Sequence, residues 1–147
     1  MLKEKISKDL AESMKAKDEK RTLAIRNIRT RIIEFEKKDM SKEITDADII
    51  SVITKLVKER KQSIDMYAEA KRTDLVDAET FELGVIEAYL PKQMSIDEIE
   101  LKVNEIITEN SFATIRDMGK VIKAFTEKYA GMADGKTVSE VVKKKLS

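Results

Sequence analysis

Apolar side chains return every third or fourth residue along almost the whole chain, and a single proline, Pro91, interrupts them. That period is the helical one. A half-buried strand would alternate with a period of two, and no stretch here does so. Leu2, Ile6, Leu10 and Met14 mark a first helix over roughly residues 2–17. A second, roughly 19–38, places Ile25, Ile28, Ile32 and Phe35 on one stripe. A long third helix carries Ile49, Val52, Ile53, Leu56, Val57, Ile64 and Tyr67 and ends near Arg72, and a fourth carries Leu83, Ile86, Tyr89 and Leu90. Beyond the proline come Ile99, Val103, Ile106 and Ile107, then Met118, Val121, Ile122, Phe125 and Tyr129, then Val138, Val141 and Val142. Charged residues at 39% and only four glycines suit long amphipathic helices better than a sandwich or barrel. The expected fold class is all-α.

Polar residues at the predicted helix ends sharpen the division. Thr45 with Asp48, and Ser95 with Glu98, have the spacing of capping boxes. Asp74 is placed to cap the fourth helix, Thr114 and Asp117 to open the sixth, and Asp134 to cap the seventh. Gly131 falls where a left-handed C-terminal cap belongs. Pro91 forces Leu90 out of the helical region, so "PKQMS" reads as a boundary. The expectation is a four-helix N-terminal domain over residues 1–90, a linker at 91–95 and a three-helix C-terminal domain over 96–147.

Several kinds of chemistry are excluded early. The chain has no cysteine and no histidine, which removes thiol and imidazole nucleophiles, disulfides and the common zinc sites. No metal site, cofactor or catalytic residue is expected. "GMADGKT", residues 131–137, falls one residue short of a P-loop. It also follows a helix rather than a strand, and Asp134 would put a negative charge inside the phosphate cradle, so it reads as punctuation between two helices. Asp74, Asp77, Glu79 and Glu82 look like charges favouring a helix N-terminus, not a general acid–base pair. A first helix with Lys3, Glu4, Lys5, Lys8 and Asp9 is neither a signal peptide nor a membrane span, and the simple expectation is a cytoplasmic protein without membrane association.

The net charge is +1, but it is unevenly spread. Lys and Arg dominate residues 15–31, acids stand alone in 74–90, and bases outnumber acids from Arg116 onward. On a helix advancing about 100° per residue, Arg116, Lys120 and Lys123 fall in one arc opposite the apolar stripe. Lys136 lies in the first turn of the next helix, where backbone N–H groups favour anions. These four are the candidate phosphate contacts. Arg21, Arg26 and Arg29 edge the second helix's apolar stripe, as snorkelling side chains do, and Arg31 projects elsewhere. Lys55, Lys58, Arg60 and Lys61 interrupt the third helix between Val57 and Ile64, which suggests a helix leaving the packed body. Tyr67, Tyr89 and Tyr129 all sit on apolar stripes and are expected in the core.

Several strings together resemble the YqeY family: "RTDLVDAETFELGVIEAYLPKQMS", "IRDMGKVIKAF" and "GMADGKTVSEVVKKKL". The residues from about Ser95 onward are similar to the tail domain of the GatB component of the tRNA-dependent amidotransferase. The resemblance implies an all-helical N-terminal domain followed by a small three-helix domain, and a tRNA-associated role. It also implies a link to glutaminyl-tRNA synthetases and a label of carbon–nitrogen ligase activity with glutamine as amido-N-donor. Glutamine hydrolysis needs an activated nucleophile, and the residues offer none. The resemblance carries a possible RNA contact to Lys120 and Lys136. It departs at Met132, where many relatives have a basic residue. The resulting expectation is a tRNA-binding accessory protein linked to tRNA-dependent amidotransfer. The alternative is a protein–protein adaptor docking on an amidotransferase or aminoacyl-tRNA synthetase.

Overall fold

A computed structural model describes every residue from Met1 to Ser147. It is all-α: α1 (Leu2–Lys15), α2 (Glu19–Lys38), α3 (Asp46–Glu69), α4 (Thr73–Glu87), α5 (Ile96–Glu109), α6 (Met118–Lys128) and α7 (Gly135–Leu146), with a 3₁₀ turn at Ile115–Asp117 and no strand. Contacts cluster into two compact units, Met1–Leu90 and Pro91–Ser147.

In the first unit the stripes converge as their period requires. Ile6 and Leu10 of α1, Ile25, Ile28 and Ile32 of α2, Ile49, Ile53, Leu56 and Val57 of α3, and Ile86 of α4 form one buried cluster, closed by Tyr89. Each such side chain contributes about 1.5–3 kcal/mol by leaving water, and α2 packs against α1, α3 and α4 alike. Met14 departs from the expected stripe: it is 50% exposed, and Ser13 is buried instead. Residues four apart drift about 40° per step around a helix, so the fourth member of an i, i+4 series has left the face. Ser13 is tolerated there because its hydroxyl donates to the Leu10 carbonyl at 2.9 Å and lies 2.9 Å from the Thr22 hydroxyl of α2.

The helix ends follow local hydrogen-bond chemistry. Thr45 and Asp48 make the reciprocal box at the start of α3, at 3.0 and 3.1 Å. Asp18 caps α2 by accepting from the Arg21 N–H. Asp74 is not a cap: Arg72 occupies that position, and Asp74 sits inside the first turn, held by the Arg72 guanidinium. At α5 the Ser95 oxygen accepts from the Glu98 N–H, but the Glu98 side chain returns to the Ser95 hydroxyl rather than to its backbone. Three helices, α1, α3 and α5, end alike. Lys17, Lys71 and Ser111 take left-handed backbone angles (φ 58, 58 and 55°). The next N–H reaches back to the carbonyl of Ser13, Tyr67 or Ile107 in turn.

In the second unit α5, α6 and α7 pack pairwise. Ile99, Val103 and Ile106, Val121 and Phe125, and Val138, Val141, Val142 and Leu146 are its buried residues. Gly131 has φ 73°, the left-handed geometry expected of it. The Gln93 amide donates to the Gly131 carbonyl at 2.6 Å, and the Met94 N–H to the Met132 carbonyl at 2.8 Å. Two of the strings that carry the family resemblance therefore meet in space.

Candidate nucleic-acid interface

The sixth predicted helix does not start where a continuous helix would place it. Thr114 and Asp117 form their capping box, but on the 3₁₀ turn Ile115–Asp117, and α6 begins only at Met118. A 3₁₀ turn advances about 120° per residue instead of about 100°. The difference is only about 20–40° over the one or two steps joining Arg116 to α6, so the turn carries Arg116 toward Lys123 and it stays in one arc of roughly 80° with Lys120 and Lys123. The two lysines project from α6 opposite Val121 and Phe125, which are buried. Arg116 is exposed on the turn that precedes them, and Lys136 is exposed as the second residue of α7. Only Lys120 has a carboxylate neighbour, Asp117, at 3.9 Å.

Two of these lysines share a feature that the charge pattern did not reveal. Lys120 follows Gly119 and Lys136 follows Gly135, and a Cβ built on either glycine would meet nothing within 4 Å. Neither glycine is required by packing within the chain. Each leaves an open approach to backbone beside a cation, as a ligand held against main chain needs. The Asp134 carboxylate accepts from the Thr137 N–H at 3.3 Å and its hydroxyl at 3.2 Å, occupying the helix terminus with the protein's own anion. That is the helix-cap reading of "GMADGKT". Lys143, Lys144 and Lys145, in the last turn of α7, are also exposed.

The remaining candidates have other places. Tyr129 stacks on Phe125 at 5.1 Å with Lys102 and Lys128 over its ring, and Tyr67 is half-buried. Tyr89 is 7% exposed and donates to Asp9 at 2.6 Å; burial, then that hydrogen bond, push its phenol well above the usual range. Arg31 makes a two-point pair with Glu59 at 2.6 and 3.3 Å.

The basic gap in α3 does not leave the body of the protein. Arg60 faces α4, 3.2 Å from Glu79 and 3.3 Å from Glu82, and Lys61 pairs with Glu87. The expectation of an exposed helix fails because α4 supplies the compensating charges. Two members of the acidic run, Glu79 and Glu82, thus complete a helix–helix contact instead of only decorating a helix N-terminus. Glu79 and Glu82, three apart on one face of α4, were the available signal for it. Burial raises the Glu82 carboxyl above its usual value, against the lowering influence of Arg60. No group of three acidic side chains is placed to hold a metal ion, and no helix is long and apolar enough to cross a membrane.

The fold and surface define an all-helical protein of two compact units whose C-terminal unit presents exposed cations beside open glycines. Residues 3–146 match the family model of YqeY-like proteins, and the chain belongs to the YqeY family. It is 33% identical over 106 residues to "Altered inheritance of mitochondria protein 41, mitochondrial" of Lachancea thermotolerans, a match covering 71% of this chain and 57% of the relative. The proteins of the same name from Kluyveromyces lactis (33% over 107 residues) and Saccharomyces cerevisiae (32% over 96) are similar at comparable coverage, 71% and 65% of this chain and 57% and 52% of theirs. The match thus spans little more than half the length of these curated relatives. None of their names mentions RNA or amide transfer. The cytoplasmic expectation is corrected by them: they are named as mitochondrial. It rested on the lack of an apolar span, which does not distinguish one aqueous compartment from another.

Proposed function

We propose that this chain is a tRNA-binding accessory protein, its two units acting as separate domains and the C-terminal one, residues 96–147, making the main contact. The observation that carries this reading is the pairing of exposed Lys120 and Lys136 with Gly119 and Gly135, whose open sides would admit a sugar–phosphate backbone. Arg116 and Lys123 extend the same positive surface. Backbone contacts of this kind position RNA without reading its sequence. The C-terminal unit's likeness to the amidotransferase tail domain directs the reading toward tRNA and a tRNA-dependent amidotransferase or glutaminyl-tRNA synthetase as associated enzyme. Glutamine-dependent carbon–nitrogen ligation would belong to that enzyme, because this chain brings no cysteine, histidine or metal-binding group to it.

The test is tRNA binding across a salt series. For about four phosphate contacts, log affinity falls against log salt with a slope of roughly −3 to −4. Affinity near physiological salt is expected around micromolar or weaker, since the net charge is only +1. Replacing Lys120 and Lys136 together by glutamine should flatten the slope by about two units without loss of helicity. Equal slopes for the two proteins would refute the phosphate contacts and favour docking on an enzyme through a helix face.

A further inference from the structure

Helices α1 and α4 both lie against α2 but do not pack on each other. The gap between them is an open hollow of about 660 Å³, wholly within the first unit. That volume falls in the range of small-molecule sites, about 300–1,000 Å³. Its floor is apolar. Phe81, Gly84, Val85 and Ala88 recur at i, i+3, i+4 and i+7, which puts them on one side of α4. Phe81 is 44% exposed, and Gly84 and Ala88 are exposed beside it. Tyr89 closes one end by donating to Asp9 of α1 at 2.6 Å.

The polar groups around this floor are few and mostly of one sign. Lys5 reaches in from α1, 5.7 Å from the centre of the Tyr89 ring, and Arg21, from the start of α2, stands by the Tyr89 hydroxyl. Asp9 is the one acid among the lining residues, and its carboxylate is engaged by that hydroxyl. The Thr80 hydroxyl already donates to the Val76 carbonyl at 2.7 Å. Two cations against one carboxylate leave the hollow with a single surplus positive charge. Glycine within a helix is destabilising relative to alanine. A Cβ at Gly84 would meet nothing within 4 Å, so the chain's own packing does not call for glycine there. Its bare backbone keeps the floor of the hollow low between Phe81 and Ala88.

We propose that this hollow binds a small aliphatic monocarboxylate, the carboxylate between Lys5 and Arg21 and the hydrocarbon tail along Phe81, Gly84 and Val85. The surplus charge matches one anionic group, and the floor matches a body that gains by leaving water. The carboxylate would accept charge-assisted hydrogen bonds from both cations. From Phe81 to Ala88 the floor runs about 10 Å at 1.5 Å per residue, the reach of a chain of about eight carbons. A peptide strand fits less well, because its backbone amides would meet helical walls whose own main-chain groups are already paired. The site does not depend on the cations of the second unit or on the RNA-binding reading.

The test is a titration of the isotope-labelled full chain with octanoate, octanol and octylammonium, followed by amide NMR shifts. Octanoate should saturate one site and shift Gly84 and its neighbours, with a dissociation constant of about 1 mM for about ten non-hydrogen atoms. Octanol should bind roughly tenfold more weakly, and octylammonium not at all. Lys5→Gln with Arg21→Gln should weaken octanoate to the level of octanol. Gly84→Leu puts a side chain into the hollow and a better helix former into α4, so it should abolish binding while raising the melting temperature. Octanol or octylammonium binding as tightly as octanoate, no saturable shift at Gly84, or a folded Gly84→Leu protein that still binds would each overturn the site.

Discussion

Replacing Arg60 by methionine isolates the electrostatics of the α3–α4 contact, because methionine keeps most of the stem's packing and removes the charge. Arg60, Glu79 and Glu82 have side chains only 21, 19 and 16% exposed. A pair of unit charges about 4 Å apart is worth about 4 kcal/mol at an effective dielectric of about 20. Two such attractions vanish in the variant, and two carboxylates are left facing each other. Against this, the arginine's desolvation cost disappears, including that of its Nε, which is buried without a hydrogen-bond partner. The expected net loss is about 2–3 kcal/mol at neutral pH, since truncating one side of a partly buried pair leaves the other unpaired. With a urea slope of about 1–3 kcal/mol/M, the unfolding midpoint followed by circular dichroism should fall by about 0.7–3 M. The loss should depend on pH in a definite direction. The folded pKa of Glu82 is raised by burial above 4.5, so its ionised form opposes folding. That penalty is absent below the unfolded value and grows as pH rises through the folded one. Without Arg60 the carboxyl rises further, so the variant's deficit should be large at pH 7 and shrink to under about 1 kcal/mol near pH 4. An equal deficit at both pH values would refute the electrostatic account and assign the loss to packing.

Limited trypsin digestion should cut after Lys92, exposed beside Pro91, and leave two helical fragments; no preferred cut there would count against two independent domains. The purified protein should release no ammonia from glutamine and hydrolyse no ATP, because it has no nucleophile of the required kind and its glycine loop is a helix cap. A turnover that copurifies and is lost on one carboxylate substitution would overturn that. Gly131→Ala should cost about 1–2 kcal/mol in urea unfolding, since its φ of 73° carries a steric penalty for any Cβ; a neutral effect would show that the loop relaxes.

The helices were legible because their apolar period is long and regular, as α2 and α5 demonstrate. N-terminal caps were legible where a side chain alone decides them: Thr45, Ser95 and Asp134 all cap as their spacing suggested. Asp74 misled, because an acid in a first turn is favourable whether or not it is the cap. The turn at Ile115–Asp117 was invisible, since its extra advance of about 20° per residue leaves the apolar pattern, and the side on which Arg116 stands, unchanged. Pairings across elements were the least legible. Nothing in the run from Lys55 to Lys61 names its partners, and only the packing of α4 along α3 brings Glu79 and Glu82 to Arg60. The candidate interface was half legible. Charge marked Lys120 and Lys136, but the open space beside Gly119 and Gly135 is a property of the folded surface.

The left-handed endings at Lys17, Lys71 and Ser111 have a consequence for how this protein can change. At each, a residue with a side chain occupies a conformation that glycine adopts without penalty, and the left-handed geometry costs other residues about 1–2 kcal/mol. Folded proteins commonly stand only about 5–15 kcal/mol above their unfolded state. Three single replacements by glycine, all at exposed positions, would each recover the part of that cost not offset by glycine's extra freedom in the unfolded chain. Descendants facing a hotter environment would not need to rebuild either core. They could adapt at the ends of their helices.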